Sequence, residues 1–283
     1  MTTPETPDSK HPARLTRRLG LGIALAVVVG NVIGSGIYLK PGTIARDGGS
    51  LGLIMFVWAF GGLLCILGGL CFAELGTMYP QAGGLYVYLK EAYGRLVAFL
   101  FGWIEFLFAR PASIGALAVA FTGELPLGEN PSDWLVVGVG SGVILAMAAV
   151  NIIGVLWGGR VQLVTTVLKV ASLVFIICVP LAIGGFGAGS VSLSNYATTS
   201  TPADPNLGVR LGAVLLAVMW AYNGWHGITP LAEEVRDPQR NIPLALFGGI
   251  GILIVLYVCT NLAYHSVLTM DEMAGAGQKA ADR

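Results

Sequence analysis

The sequence predicts an all-α polytopic membrane protein in which two of the spans are broken. Its 283 residues are 55% hydrophobic and only 11% charged, with a mean hydropathy of +0.74. A soluble domain carries roughly 25% charged residues. Residues 24–37, ALAVVVGNVIGSGI, set Gly30, Asn31, Gly34, Ser35 and Gly36 inside an apolar run long enough to cross a bilayer. A second interruption, Ala221-Tyr222-Asn223-Gly224-Trp225, falls inside a later apolar run. Glycine and serine there break the helix and leave amides and carbonyls without intrahelical partners. Such groups are tolerated at membrane depth only where protein, water or a ligand satisfies them.

About 20 apolar residues suffice for a span, and on that basis seven are expected. A polar tail, 1–19, ends in Arg17-Arg18 with no cleavage site after it, and reads as a retained cytoplasmic tail. Span 1 covers 20–44, broken at 34–36. Span 2, 51–73, carries the pairs Gly61-Gly62 and Gly68-Gly69, which favour close helix packing. Span 3, 96–121, holds Arg110-Pro111, and Arg110 has a partner either in Glu105 or in a carboxylate of another helix. Spans 4 and 5 occupy 134–153 and 161–184. The stretch 185–208 is rich in Gly, Ser, Thr and Pro and reads as a solvated external loop. Span 6, 209–232, is broken near 223–226. Pro238 and Pro243 lead through a tight link into span 7, 243–264.

Charge orients the chain. With the N-terminus inside, the inner segments hold Lys10, Arg14, Arg17, Arg18, Lys90, Arg95, Arg160, Arg236 and Arg240. The outer loops before the last span hold Lys40, Arg46 and Arg210, and the loop with Glu124, Glu129 and Asp133 has no basic residue. The positive-inside rule therefore places the N-terminus in the cytoplasm. That orientation and the two breaks argue against a seven-helix receptor. A net charge of zero offers nothing to nucleic acid. The four cysteines lie in apolar runs, as buried apolar residues do, and none stands in an external loop before residue 266 to link an accessory subunit. Neither a Walker-type motif nor spaced metal ligands occur, so no cofactor is expected. Two broken spans are instead the pattern of a solute site near the midplane.

The motifs that carry a family resemblance begin with Gly30-Asn31-Val32-Ile33-Gly34-Ser35-Gly36-Ile37. They continue through Phe72-Ala73-Glu74-Leu75-Gly76-Thr77-Met78-Tyr79-Pro80, Gly83-Gly84-Leu85-Tyr86-Val87-Tyr88 and Glu91-Ala92-Tyr93-Gly94. Arg110-Pro111, Lys169, the run from Ala221-Tyr222-Asn223-Gly224-Trp225 to Glu233-Glu234-Val235-Arg236-Asp237-Pro238, and Arg240-Asn241-Ile242-Pro243 complete the set. With these motifs the chain resembles the amino acid–polyamine–organocation superfamily, most closely its L-type amino acid transporter branch. The resemblance implies a fold of two inverted five-helix repeats. Residues 20–184 would form the first repeat and 209–264 would open the second. Residues 265–283 would begin the external loop before an eighth helix that is missing, so the chain reads as truncated.

A zwitterionic amino acid brings a carboxylate and an ammonium into a low-dielectric site. The amides at Ser35 and Gly36, with Ile37 adjacent, suit the carboxylate. Carbonyls near Val32 and at Trp220 and Asn223 suit the ammonium. The resemblance implies the same division and places at Trp220 an aromatic residue that closes over substrate; otherwise Trp220 is a packed aromatic. Asn223 stands where many relatives have glycine and would favour smaller or polar amino acids. Trp225 and Tyr222 either shape the pocket or pack in the core, and His226 is either a substrate contact or a structural histidine. Lys169 is costly inside span 5 unless it faces carbonyls in the bundle. The resemblance implies that its ammonium stands in for sodium, the alternative being a lysine snorkelling to the surface. Glu74, Glu233, Glu234 and Arg236 form either an inner-gate ion-pair network or solvated helix ends.

The expectation is a secondary transporter of neutral amino acids, or its N-terminal portion, sodium-independent and resident in a cell membrane (the inner membrane in a Gram-negative bacterium). No bond is made or broken, so it is not an enzyme. The alternatives are a proton-coupled amino acid or polyamine permease, and a non-transporting membrane subunit or sensor.

Overall fold

The computed structural model describes residues 16–123, 125–127, 131–153, 155–185 and 191–276. Lys10, Arg14, Glu124, Glu129, the side chain of Arg160 and residues 277–283 lie outside the described residues. Among the described residues, seven helical stretches are long and apolar enough to cross a membrane. The first forms α1 (Leu21–Val32) and leaves the helix at Ile33, whose ψ of 92° is extended. It resumes as one turn, α2 (Gly36–Leu39), and runs through Lys40 into α3 (Pro41–Gly48). The break thus spans 33–35, one residue ahead of the 34–36 read from the sequence. The helix persists through Gly30 and Asn31 and yields only where Gly34 and Ser35 follow in succession.

Span 2 is α4 (Leu51–Met78), and the short α5 (Leu85–Tyr93) follows it. Span 3 is α6 (Arg95–Ile104), a π-helical turn (Glu105–Ala109) and α7 (Arg110–Gly123). In the π-turn the Arg110 amide donates to the Glu105 carbonyl, which stacks residues five apart. That geometry decides between the partners open to Arg110: its Nε lies 2.7 Å from Glu105 Oε2. Spans 4 and 5 are α8 (Asp133–Ile153) and α9 (Val155–Gly185). Span 6 is α10 (Leu207–Tyr222), whose first turn is capped by the Asn206 side chain, followed by a 3-10 segment (Trp225–Glu234). Asn223 is extended and Gly224 has φ 119°, a conformation open to glycine and strained for any L side chain. Span 7 is α11 (Pro238–Val267), and a capping box at Thr269 and Glu272 starts α12 (Met270–Gly275).

The core lies where α11 packs against α4, α1 and α9, with α10 on α4. Trp58, Tyr222 and Tyr257 are its largest fully buried side chains. Their ring centroids stand 5.2–5.6 Å apart in edge-on and tilted pairs, each pair adding about 0.5–1.5 kcal/mol beyond its buried area. The glycine pairs of α4 serve close packing: the ring of Trp225 approaches Gly68, and Val218 approaches Gly61. Spans 3 and 4 pack mainly on each other and present Phe106, Phe108, Leu145 and many other apolar side chains outward.

Two segments differ from a freely solvated loop. Over 191–206 the chain bonds to the ends of the spans: Ser192 N donates to Ser266 O at 3.0 Å, Tyr196 hydroxyl to Leu262 O at 3.1 Å, and Ser200 N to Gly49 O at 3.0 Å. After α11 the chain turns back, so that Met270 and Met273 are fully buried and α12 rests on α3. The physical reason is local. Gly, Ser and Thr leave many backbone groups to satisfy, and the open ends of α3 and α11 supply partners.

Among the described glycines, the closest approach to the backbone of another span is at Gly36, where a Cβ would lie 2.7 Å from Ala221 Cα. Gly36→Ala is expected to lower stability by about 1–3 kcal/mol through overpacking. Gly52→Ala, with nothing within 4 Å of the added carbon, should leave stability unchanged or raise it by up to about 1 kcal/mol. Thermal unfolding in detergent measures both.

Candidate functional site

The two breaks lie against each other. Gly36 meets Ala221, and a Cβ on Gly224 would stand 2.8 Å from the Asn31 carbonyl oxygen. Two glycines therefore let the backbones of spans 1 and 6 touch at the level where both helices are interrupted. Each break ends a half-helix whose last carbonyls have lost their helical donors.

Those carbonyls are taken up by side chains from other spans. The Tyr257 hydroxyl, fully buried on α11, lies 3.1 Å from Val32 O and 3.2 Å from Ala221 O. One hydroxyl proton is thus shared between the last turns of both half-helices. Lys169 Nζ donates to Gly30 O at 3.0 Å, so the ammonium of span 5 faces the bundle and a carbonyl beside the first break. Thr166 Oγ1 reaches Ala26 O at 3.2 Å, and Gln162 Nε2 donates to Asn31 Oδ1 at 3.3 Å. Tyr222 hydroxyl donates to Trp58 O at 3.3 Å, which ties the second break to α4.

Of the residues singled out in the sequence, Val32, Ser35, Gly36, Ile37, Trp220, Asn223 and Lys169 gather around the paired breaks. Val32 and Ile37 are buried. The Val32 carbonyl, read as free, has the Tyr257 hydroxyl, and the Trp220 carbonyl accepts from Asn223 N at 3.2 Å. Trp220 is 65% exposed and Asn223 is also exposed, both on the open side of the second break. Trp225 turns elsewhere: its ring sits edge-on to Phe72 at 5.2 Å, over Gly68 of α4. The cause is Gly224, whose left-handed conformation redirects the chain before Trp225 begins the 3-10 segment.

Glu234 and Arg236 lie at the far end of that segment, roughly 18 Å from Trp225 at the 3-10 rise of about 2.0 Å per residue. They act there through backbone. Arg18 N and Leu19 N both donate to Glu234 O at 2.9 Å, and Arg236 N donates to Leu19 O at 2.8 Å. Glu234 and Arg236 form no ion pair with each other; among carboxylates of this end, Glu233 Oε2 accepts from Ala82 N at 3.2 Å. Sequence reasoning missed Tyr257, Gln162 and Thr166. Gln162 and Thr166 share a helix face with Lys169, and that polar stripe in an apolar span is a readable signal. Tyr257 had none, since an isolated tyrosine in an apolar helix looks like core.

Removing the shared donor leaves two carbonyls short at once. Tyr257→Phe is expected to cost about 1–3 kcal/mol. It should also speed amide exchange in peptides covering 33–38 and 222–228 together, with the middle of α4 unchanged; exchange read by mass spectrometry checks this.

Comparison with known proteins follows the same residues. Residues 19–281 match the amino acid permease family. The chain is 36% identical over 272 residues to the serine/threonine exchanger SteT of Bacillus subtilis, covering 94% of this chain and 58% of that one. It is 34% identical over 266 residues to the human b(0,+)-type amino acid transporter 1, covering 92% and 53%. It is 31% identical over 270 residues to the mouse Asc-type amino acid transporter 1, covering 94% and 51%. The chain spans about half the length of the curated relatives it matches. With paired breaks in spans 1 and 6 and a match running through both, this chain belongs to the amino acid permease family of the amino acid–polyamine–organocation superfamily.

Proposed function

We propose that this chain forms the amino-acid-binding part of a sodium-independent secondary transporter, of the L-type branch, that exchanges neutral amino acids by alternating access. The observation that carries the reading is the contact of the two breaks, Gly36 on Ala221 and Gly224 on the Asn31 carbonyl, beside an ammonium held at Gly30 O. The substrate carboxylate is received by the amides of Ser35 and Gly36, with Ile37 adjoining. Its ammonium is received by carbonyls at Trp220 and Asn223 and by the second lone pair of Val32 O, since a carbonyl accepts two hydrogen bonds. Trp220, exposed beside the break, closes over the substrate. Asn223 narrows the site toward small or polar side chains. The name of the serine/threonine exchanger relative points the same way. Lys169 takes the place of a coupling sodium ion.

The contacts of the half-helices support alternating access. On the outer side Arg210 of α10 bonds to the carbonyls of Asp47 and Gly48 of α3, and Gly36 meets Ala221, so the outer halves of spans 1 and 6 move as a unit. On the inner side Arg18, Leu19 and Arg236 join their inner halves through the Glu234 and Leu19 carbonyls, with Glu234 and Arg236 as the closing end. The two units meet at the breaks and share the Tyr257 hydroxyl. In this reading residues 20–184 are the first repeat of a 5+5 fold, 209–264 open the second, and 185–208 and 265–283 are extracellular. The N-terminus is cytoplasmic because Arg17, Arg18, Lys90, Arg95, Arg236 and Arg240 share that side.

Purified chain in detergent is expected to gain thermal stability from serine, threonine and other small neutral amino acids, and not from diamines. The gain should persist when sodium is replaced by choline and disappear in Trp220→Ala. Stabilisation by diamines, or strict dependence on sodium, would overturn the assignment.

A further inference from the structure

Three buried polar atoms on one face of α11 have no partner among the described residues: Asn261 Oδ1, the Tyr264 hydroxyl and His265 Nδ1. Asn261 and His265 are 1% exposed and Tyr264 7%. Their spacing of three and four residues puts them on adjoining positions of one helix face, with Cβ atoms roughly 5–6 Å apart. Asn261 spends its amide nitrogen on Tyr257 O at 2.8 Å, which leaves its oxygen over. The neighbouring hydroxyls behave differently. Thr260 bonds back to Leu256 O at 2.7 Å and Ser266 to Ala263 O at 2.7 Å, so these two groups satisfy themselves within the helix.

Elsewhere polar pairs are closed directly: the Tyr38 hydroxyl of α2 sits 2.6 Å from Ser172 Oγ of α9. An orphaned polar atom in a membrane span carries its full desolvation cost, and three in one turn point to a shared occupant. The donor set suits one. A water molecule donates to Asn261 Oδ1, accepts from the Tyr264 hydroxyl and pairs with His265 Nδ1, which meets the two to four partners a buried water requires.

We propose that this face of α11 is a hydrated pocket, holding ordered water bound to Asn261, Tyr264 and His265. One turn below it, Tyr257 holds the breaks directly.

X-ray radiolytic labelling of the wild-type chain tests this, because activated bound water oxidises even fully buried neighbours. Tyr264 and His265 should be labelled several-fold faster than Tyr222, which is as buried as His265 and already donates to Trp58 O. In Tyr264→Phe a bound water loses a partner, and Tm should fall by about 2–4 °C. Labelling of Tyr264 and His265 no faster than that of Tyr222 would overturn the proposal. So would a Tyr264→Phe chain with an equal or higher Tm, the result a dry, orphaned hydroxyl predicts. If that variant does not fold, the wild-type labelling decides alone.

Discussion

A carbonyl that has lost its helical donor inside a bilayer must find another, and this demand organises the protein around its two breaks. Val32 and Ala221 obtain theirs from one hydroxyl, that of Tyr257. Gly30, one turn before the first break, receives the Lys169 ammonium. The donors to these three carbonyls come from spans 5 and 7, not from the broken spans themselves. The aromatic packing of Trp58, Tyr222 and Tyr257 then holds the shared donor in place. Spans 3 and 4, which supply no donor to the breaks, lie at the periphery with apolar surface outward.

The same demand explains why each break has a rigid neighbour on either side. The outer halves are joined by Arg210 to the end of α3, and the inner halves by Arg18 and Leu19 to Glu234. Nearly all of these inner contacts are backbone to backbone. They fix geometry without placing charge at membrane depth, where an unpaired carboxylate or guanidinium is costly. Among the described residues, the ion pair inside an apolar span, Glu105 with Arg110, is closed within its own π-turn.

Much of this was legible in the residues. The positions of the breaks follow from Gly34-Ser35-Gly36 and Asn223-Gly224, because these are the residues least able to continue a helix. The inward face of Lys169 follows from the cost of a charge in an apolar span. The redirection of Trp225 onto α4 was not legible. It depends on the φ of Gly224 and on room made by Gly68, 156 positions away in the numbering, and no local pattern links the two. The backbone role of Glu234 was hidden for a similar reason: charge draws attention to a side chain, while here the carbonyl does the joining.

By itself the sequence determined the span count, the two interruptions and the residues flanking them, since these depend on hydropathy and on local backbone preference. Only the tertiary structure decided which groups answer the open carbonyls. It set Tyr257 over both breaks, seated Gly36 on Ala221, and left Asn261 Oδ1, the Tyr264 hydroxyl and His265 Nδ1 on one face without a partner among the described residues. Hydropathy says that a polar group must be satisfied in the membrane. Which distant residue satisfies it is a matter of packing, and packing exists only in the folded bundle.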